Sequence, residues 1–206
     1  DSVRSSLDKT VTILMKIWVR PPAELHPLWR EGLEFLSTLP REEHIAIHWG
    51  MTMAVYPFWG SVAAHVGRLV RLQGRATHAQ VRRRVMEQYG QRPTIKHAVR
   101  RVLRSMIDWG VLKDTAAHNT RRAEGMYVPG PPHAVDRVDL IAWLAEAYLY
   151  AHPGGPKVLR TVLDSASLFP FHMGSISGHQ LTAVSTRLEV LQQGVDQELI
   201  TLKVDA

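Results

Sequence analysis

A run of 24 residues, from 44 to 67, contains no Asp, Glu, Lys or Arg. Such a run must be buried, either in a protein core or across a bilayer, so it constrains the fold more than any other feature. Pro57 and Gly60 interrupt it, and three histidines lie within it. We therefore predict two buried helices joined by a bend at 56–60 and no membrane partner; a single spanning helix is the alternative.

The composition restricts the class of protein. With 206 residues, of which 45% are hydrophobic, the chain can bury a sizeable core. It has no cysteine, which excludes disulfides, thiolate chemistry and cysteine-ligated zinc. No secretory signal pattern is visible at the N-terminal end. We expect a globular, cytoplasmic protein that needs no cofactor.

Positive charge is concentrated in one central segment. Residues 68–122 carry 14 of the 25 Lys and Arg residues against three acidic residues, which gives this segment a net charge of +11. The net charge of residues 1–67 is −1, and that of residues 123–206 is −4. A local positive field is typical of a nucleic-acid-binding surface, so we expect an anionic partner for the central segment.

The stretch from 94 to 112 has two different helical faces. At about 100° per residue, its apolar side chains form one stripe, made of Ile95, Ala98, Val99, Val102, Leu103, Met106 and Ile107. The basic side chains fall opposite that stripe: Lys96, His97, Arg100, Arg101 and Arg104. Like charges one turn apart repel by roughly 0.2–0.5 kcal/mol per pair, so an anion is the simplest compensation.

Two helices are predicted before this stretch. The first covers 58–73 and ends at Gly74, a suitable residue for a helix C-terminus. Thr77 and Gln80 match a capping box, in which the side chain of each residue hydrogen-bonds the backbone N–H of the other. We therefore expect the second helix to begin immediately after Thr77.

Two strands are predicted after the helix at 94–108. Thr94 is expected to cap the helix at 94–108, and Gly110 to end it. Val111 and Leu112 begin an extended stretch, and 126–128 reads as a returning strand after a polar loop. The two strands would form a β-hairpin.

This order, of helices followed by a hairpin whose loop carries two arginines, resembles a winged helix-turn-helix module over residues 58–130. The phrase DWGVL at 108–112 resembles the exit of the recognition helix in that superfamily. The resemblance implies a mainly α protein with a winged helix-turn-helix core and a small β-hairpin wing. Helical regions at 1–57 and 131–206 would flank this core, and the second is a candidate interaction or dimerisation region.

The resemblance also implies DNA-contacting residues: Thr77, Arg82, Arg83, Arg92, Thr94, Lys96, His97, Arg100, Arg101, Arg104, Arg121 and Arg122. Arg100 or Arg101 would read guanine edges, and Arg104 would meet a phosphate. Arg121 and Arg122, on the wing, would reach the minor groove. One of the three arginines at 82–84 is expected to lie along the inner face by its aliphatic stem.

Both flanking regions are predicted to be helical. The N-terminal one contains helices over 7–18 and 23–36, and a third that starts near Arg41. The C-terminal one contains a helix capped by Asp136, a helix that starts at Pro156 and a helix over 179–193, whereas 199–204 is either a strand or a short helix. Because these regions lack the central arginines, we expect them to provide homodimer or protein contacts.

The sequence contains no clear motif for catalysis or metal binding. His44 and His48 lie four residues apart, but no glutamate follows His44 as a zinc protease motif requires. The sequence GSISG at 174–178 has isoleucine where a nucleophile elbow needs serine. We therefore expect a non-enzymatic protein without a metal.

The function that these patterns favour is duplex DNA binding, either sequence-specific or sequence-independent. The protein would act as a transcriptional regulator or as the DNA-engaging subunit of a larger assembly, such as an antiviral defence system. Single-stranded RNA is a poorer candidate, because the basic face lacks aromatic side chains on which bases could stack. The alternative is a winged-helix module that binds protein and not DNA.

Overall fold

A computed structural model describes residues 2–115, 125–194 and 197–203, and the chain is mainly helical. The helices are α1 (Ser2–Leu14), α2 (His26–Thr38), α3 (His44–Val55), α4 (Pro57–Gln73), α5 (His78–Tyr89), α6 (Pro93–Asp108), α7 (Val138–Ala151), α8 (Leu159–Leu163) and α9 (Gly178–Val184). A π-helical turn, Met15–Val19, continues α1 up to the Pro21-Pro22 pair. The predicted helical N-terminal region is confirmed.

Eight short strands complete the described part of the chain. They are β1 (Ala76–Thr77), β2 (Leu112–Asp114), β3 (Met126–Pro129), β4 (His133–Val135), β5 (Lys157–Val158), β6 (Phe171–Met173), β7 (Leu188–Gln193) and β8 (Gln197–Leu202). Two antiparallel sheets have the orders β1-β3-β2 and β5-β8-β7, and β4 pairs with β6 in parallel.

The chain folds into two compact units. Unit 1 comprises Asp1–Pro57, Arg137–Val158 and Ser177–Ala206, and unit 2 comprises Phe58–Asp136 and Leu159–Ile176. Each unit is therefore built from segments that are distant in sequence. The division into regions 1–57, 58–130 and 131–206 that the sequence suggested stays a prediction.

The uncharged run at 44–67 forms parts of two buried helices. Tyr56 separates α3 from α4, so the predicted break is present but shorter than five residues. In α3, nine residues are buried, which explains why the segment carries no charge. Within the described residues, no helix is long and apolar enough to cross a membrane.

The core of unit 1 is centred on Trp143 of α7, which is fully buried. Its indole Nε1 donates a hydrogen bond to the Leu28 carbonyl oxygen at 2.9 Å. Gly50 lets α3 approach the indole closely, because a Cβ at this position would lie 2.3 Å from the ring. The edge of the Phe35 ring packs on the same indole, with 6.3 Å between ring centroids.

A buried ionic network joins three segments of unit 1. Glu146 on α7 is fully buried, accepts a hydrogen bond from Ser185 Oγ at 2.5 Å, and accepts another from Arg187 Nε at 2.7 Å. Arg187 also donates to the Glu31 carboxylate on α2. Burial raises the pKa of Glu146, whereas the hydrogen bonds from Ser185 and Arg187 act in the opposite direction.

The two antiparallel sheets share one topology. Each sheet is built from the same order of elements: a helix, a strand, two helices and two strands. In the first sheet these are α4, β1, α5, α6, β2 and β3. In the second they are α7, β5, α8, α9, β7 and β8, with β6 inserted before α9. In each sheet the last strand lies between the other two. Ser177 and Gln180 also form a capping box at α9, as Thr77 and Gln80 do at α5.

Three predictions in the C-terminal region are wrong in detail. Asp136 does not cap α7, whose N-cap residue is Arg137 without a side-chain cap, while the Asp139 carboxylate accepts from the Leu140 N–H at 2.8 Å. The helix expected from Pro156 starts only at Leu159, because the two preceding residues pair with β8.

The predicted helix over 179–193 ends at Val184 and is followed by β7. Ser185 leaves the helical conformation, with φ −119° and ψ 124°, and its hydroxyl bonds Glu146. Residues 188–193 then pair along their whole length with β8, and Gly194 supplies the turn with φ +69°. Of the two alternatives for residues 199–204, the strand is correct through Leu202, and residue 204 lies outside the described residues.

The ionic network predicts a large effect of Arg187→Met on stability. The substitution leaves the buried Glu146 carboxylate without its cation, and we expect the free energy of unfolding to fall by about 3–5 kcal/mol near neutral pH. Because burial raises the pKa of Glu146, the folded state takes up a proton at a higher pH than the unfolded chain does. A protonated Glu146 needs no cation, so the loss of stability should be smaller in acid.

Chemical denaturation at pH 5 and pH 8 measures both effects. Arg160→Met is the matched control, because Arg160 pairs with Asp164 at an exposed site where the side chains are 88% and 67% accessible. We expect this control to change stability by no more than about 0.5 kcal/mol. Equal losses in the two variants would contradict the proposed role of the network.

Candidate nucleic-acid interface

The helix α6 buries one face and exposes the other, as the sequence predicts. Its buried side chains are Ile95, Val99, Val102, Leu103 and Met106, and the last of these is fully inaccessible. Ala98 and Ile107 lie half-buried at the edges of this stripe. All five basic residues of the opposite face are exposed: Lys96, His97, Arg100, Arg101 and Arg104. The amphipathic pattern therefore fixes which side of α6 meets solvent.

Contacts at the C-terminal end of α6 hold its orientation. Trp59 Nε1 on α4 donates to Ser105 Oγ at 3.2 Å, and the Trp59 and Trp109 rings lie 5.6 Å apart. After α6, the Val111 N–H bonds the Met106 carbonyl oxygen at 2.9 Å. Gly110 has φ +74°, a conformation that favours glycine, so the chain can turn into β2 at this point.

The helix α5 starts with the predicted capping box. The Gln80 N–H donates to Thr77 Oγ1 at 3.2 Å, and the Thr77 N–H donates to Gln80 Oε1 at 3.0 Å. β1 places this cap, because Ala76 and Thr77 pair with β3 and the His78 N–H bonds the Gly125 carbonyl oxygen at 2.9 Å. The Thr77 hydroxyl thus accepts a hydrogen bond within the protein, so the main role of Thr77 is to stabilise the start of α5.

Exposed ion pairs engage some of the basic side chains. Arg104 Nε lies 2.9 Å from Asp108 Oδ1, while Arg83 and Arg84 lie 3.8 Å and 3.6 Å from Glu87. Side chains in these pairs are more than half accessible, and exposed pairs contribute at most about 1 kcal/mol, so an anion can compete for the arginines.

Three basic side chains of α6 are available for a ligand. Among the described contacts, no ion pair involves Lys96, Arg100 or Arg101. Burial, and to a smaller extent the charge of Asp114, raise the pKa of the Tyr127 phenol on β3. The positive charge of Arg100 acts on the same phenol in the opposite direction. Arg100 therefore places its charge close to the sheet as well as on the helix surface.

The structure locates ten of the twelve predicted site residues. Thr77, Arg82 and Arg83 belong to the start and the body of α5, and Arg92 immediately precedes α6. Arg82 is half-buried whereas Arg83 and Arg84 are exposed, so of the three arginines at 82–84 it is Arg82 that turns inward. The remaining described members lie on α6: Thr94, Lys96, His97, Arg100, Arg101 and Arg104. Arg121 and Arg122 lie outside the described residues.

The prediction that Thr94 caps α6 is wrong. The helix begins at Pro93, its N-cap residue is Arg92, and no side-chain cap is present. Proline is favoured at the first helical position because its φ is already helical and its missing N–H would have no partner there. Thr94 thus lies inside the first turn with an exposed side chain.

Sequence reasoning missed the role of Arg71 on α4. Its Nη1 donates to the Asp164 carbonyl oxygen at 2.6 Å, and its Nη2 donates to the Ser165 carbonyl oxygen at 3.3 Å. These partners lie more than 90 residues away in sequence, and no local pattern predicts the contact. Arg71 is therefore an arginine of the basic segment with a structural role.

His44 and His48 both make contacts within the protein. His44 Nε2 lies 3.0 Å from the Leu39 carbonyl oxygen, and His48 packs edge-on against Trp18 with ring centroids 5.3 Å apart. Burial, and to a smaller extent His44, lower the pKa of His48. Within the described ranges, no group of three or more His, Asp or Glu side chains is arranged to hold a metal ion.

Comparison with protein-family models, curated protein sequences and solved structures finds no match to this chain. The geometry and charge of the surface around α5 and α6 therefore carry the functional proposal. The features that bear on it are the capped start of α5, the exposed basic face of α6 and the contacts that hold α6 in place.

The two threonines at the helix starts should respond differently to alanine. Thr77→Ala removes the side-chain cap of α5, and we expect it to lower the free energy of unfolding by about 1 kcal/mol. Thr94→Ala removes no capping bond, so its effect should stay within about 0.5 kcal/mol. Urea denaturation of the two variants provides a matched comparison, and a larger loss for Thr94→Ala would contradict these helix starts.

Proposed function

We propose that this chain is a non-enzymatic, cytoplasmic protein that binds duplex DNA through the exposed face of α6. The observation that carries the proposal is the placement of five basic side chains on the solvent face of a helix whose other face is buried. The charge balance supports the proposal, because the surrounding segment has a net charge of +11 while the rest of the chain is acidic.

The dimensions of α6 suit the major groove. A helix with its side chains is about 10–12 Å across, close to the width of the major groove of B-DNA at about 12 Å. On one face of α6, Lys96 and Arg100 lie one turn apart, and Arg104 lies one turn further. A helix placed in the groove would thus direct a row of cations at base edges and at the flanking phosphates.

Each basic residue has a proposed role. Arg100 or Arg101 would bond the O6 and N7 atoms of guanine, and Lys96 and His97 would contact the same groove. Arg104 would exchange its exposed Asp108 partner for a phosphate. Arg83 and Arg92 would contact the backbone beside the groove, whereas the half-buried Arg82 and the bonded Thr77 would serve chiefly to place α5.

The topology supports a winged helix-turn-helix assignment for the central segment. Helices α4, α5 and α6 are followed by β2 and β3, which pair in antiparallel fashion, and β1 completes the sheet. In such a module α6 would be the recognition helix, and the segment between β2 and β3 would be the wing. Arg121 and Arg122 belong to that segment and would add minor-groove contacts.

Two biological settings fit this activity. The protein would act as a transcriptional regulator or as the DNA-engaging subunit of a larger assembly, for example in antiviral defence. The second setting is favoured slightly, because the helical regions that flank residues 58–130 exceed what a minimal repressor needs. Unit 1 would then supply homodimer or protein contacts.

A protein-interaction module is the second candidate function. The observation in its favour is the repeated topology, since the same strand order recurs at β5-β8-β7 without a basic helix beside it. The helix α9 contains no Lys or Arg, and the sequence from 123 to 206 has a net charge of −4. A helix without basic residues has no cation to offer a phosphate, so the same strand order fits a protein partner better than DNA here.

The salt dependence of DNA binding tests the proposal. If the basic face meets about five phosphates, the slope of log affinity against log salt should lie near −4.5, at about −0.9 per phosphate. Arg100→Gln combined with Arg101→Gln should weaken binding about tenfold or more. Because one of the two arginines is assigned to guanine, the slope should become shallower by at most about one unit. Fluorescence anisotropy with a 20-base-pair duplex measures both quantities.

A double variant with the same change of charge is the control. Arg41→Gln with Arg160→Gln removes two exposed arginines outside α5 and α6, and we expect it to bind DNA nearly as the wild type does. Two unrelated duplexes separate sequence-specific from sequence-independent binding, and anionic liposomes test for unspecific attraction to charge. Failure of the wild type to bind duplex DNA at about 50 mM salt would overturn the proposal and favour the protein-interaction module.

A further inference from the structure

Unit 2 contains a cavity of about 460 Å³ that the proposed DNA-binding surface does not use. Its walls come from the end of α4, the segment after β3, the end of α8 and β6. Sites for small organic ligands commonly have volumes of about 300–1,000 Å³ and are lined by apolar side chains with a few polar groups. The cavity lies in this range.

Apolar side chains form most of the wall. Val70, Val111, Phe169, Phe171 and Met173 line the cavity, together with four prolines at 129, 131, 132 and 170. The proline rings and the aromatic side chains lose little conformational entropy when a ligand packs on them. Such a wall favours a flat or compact apolar body.

Arg71 brings a positive charge to this apolar wall. Two main-chain carbonyl oxygens accept hydrogen bonds from its guanidinium, and the described contacts include no carboxylate partner for it. The carboxylate of Asp164, another residue of the wall, pairs with Arg160 at 3.3 Å. A guanidinium has five N–H donors, so three remain for an anionic group.

We infer that this cavity binds a small organic anion, with an apolar aromatic body against the phenylalanines and a carboxylate or a similar group on Arg71. The two carbonyl contacts fix the plane of the guanidinium, which prepares it for bidentate bonding to a carboxylate. The site is separate from the exposed face of α6, and ligand binding there does not require DNA.

The cavity also touches the segment that ends α6. Val111 lines it and follows Gly110 directly, and the Gly130 N–H bonds the Val111 carbonyl oxygen at 2.7 Å. A ligand would therefore contact the segment from which β2 begins. This position suits an effector site, although binding of the ligand does not depend on that role.

Two naphthalene probes with the same apolar body, one charged and one neutral, test the inference. 2-Naphthylacetate carries a carboxylate, and 2-naphthylacetamide has the same body without the charge. Isothermal titration of the full chain should give a Kd below about 1 mM for the acid, in keeping with the ligand efficiency of small molecules. The amide should bind about tenfold more weakly, because it lacks the charge-assisted hydrogen bonds to Arg71.

Three variants locate the binding. Arg71→Met should abolish the preference for the acid, whereas Arg68→Met, a matched loss of charge on the same helix but outside the cavity wall, should keep it. Val70→Trp should fill the cavity and weaken the binding of both probes at least tenfold. The thermal transition of each variant shows whether it is folded.

The outcomes separate this inference from the proposed DNA binding. No binding of either probe by the wild type, or acid binding that Val70→Trp and Arg71→Met leave unchanged, would overturn the inference. If Arg71→Met does not fold, the comparison of acid and amide on the wild type and the effect of Val70→Trp still decide. Affinity for duplex DNA depends on Arg100 and Arg101, so its loss would not alter these results.

Discussion

The packing of the apolar face of α6 is the interaction on which the proposed function depends. Five buried side chains fix the rotation of the helix, and each contributes about 1.5–3 kcal/mol by leaving water. Repulsion between like charges on the opposite face costs only roughly 0.2–0.5 kcal/mol per pair. The fold can therefore hold a cationic face outward at little cost, and Trp59, Trp109 and Gly110 keep it in place.

The parts of the fold that follow from local chemistry could be predicted from the sequence. The apolar stripe of α6, the capping box at Thr77 and the helix end at Gly110 each depend on residues within one or two turns. Where two local signals competed, the prediction failed: Pro93 at the first helical position displaced the start of α6 from Thr94. The exposure of the five basic residues could be predicted, but their binding of DNA stays a proposal.

The features that the sequence did not reveal depend on distant residues. The stretch at 188–193 is rich in residues that suit a helix, but pairing with β8 makes it a strand. Ser185 is drawn out of the helical conformation at a point where its hydroxyl meets Glu146, 39 residues earlier. In the sequence Arg71 is like the other basic residues of the central segment, because its carbonyl partners at 164 and 165 are distant along the chain.

The repeated strand order allows two sheets of the same topology to be compared by the charge of the helices beside them. Two sheets of the same topology occur in one chain, but only the first has a strongly basic helix beside it. Since the topology is common to both, it cannot by itself carry the proposal of DNA binding. The difference lies in the side chains of α6, which is why substitutions on this helix are more informative than a comparison of folds.

Mapping the DNA contact by NMR tests the central claim most directly. Backbone amide shifts of the full chain would be followed while a short duplex is added at low salt. If α6 enters the groove, the largest changes should fall between Arg92 and Arg104 and at the start of α5, with little change in unit 1. Changes confined to unit 1, or no changes at a protein-saturating concentration of duplex, would contradict the assignment of α6 as the DNA-binding helix.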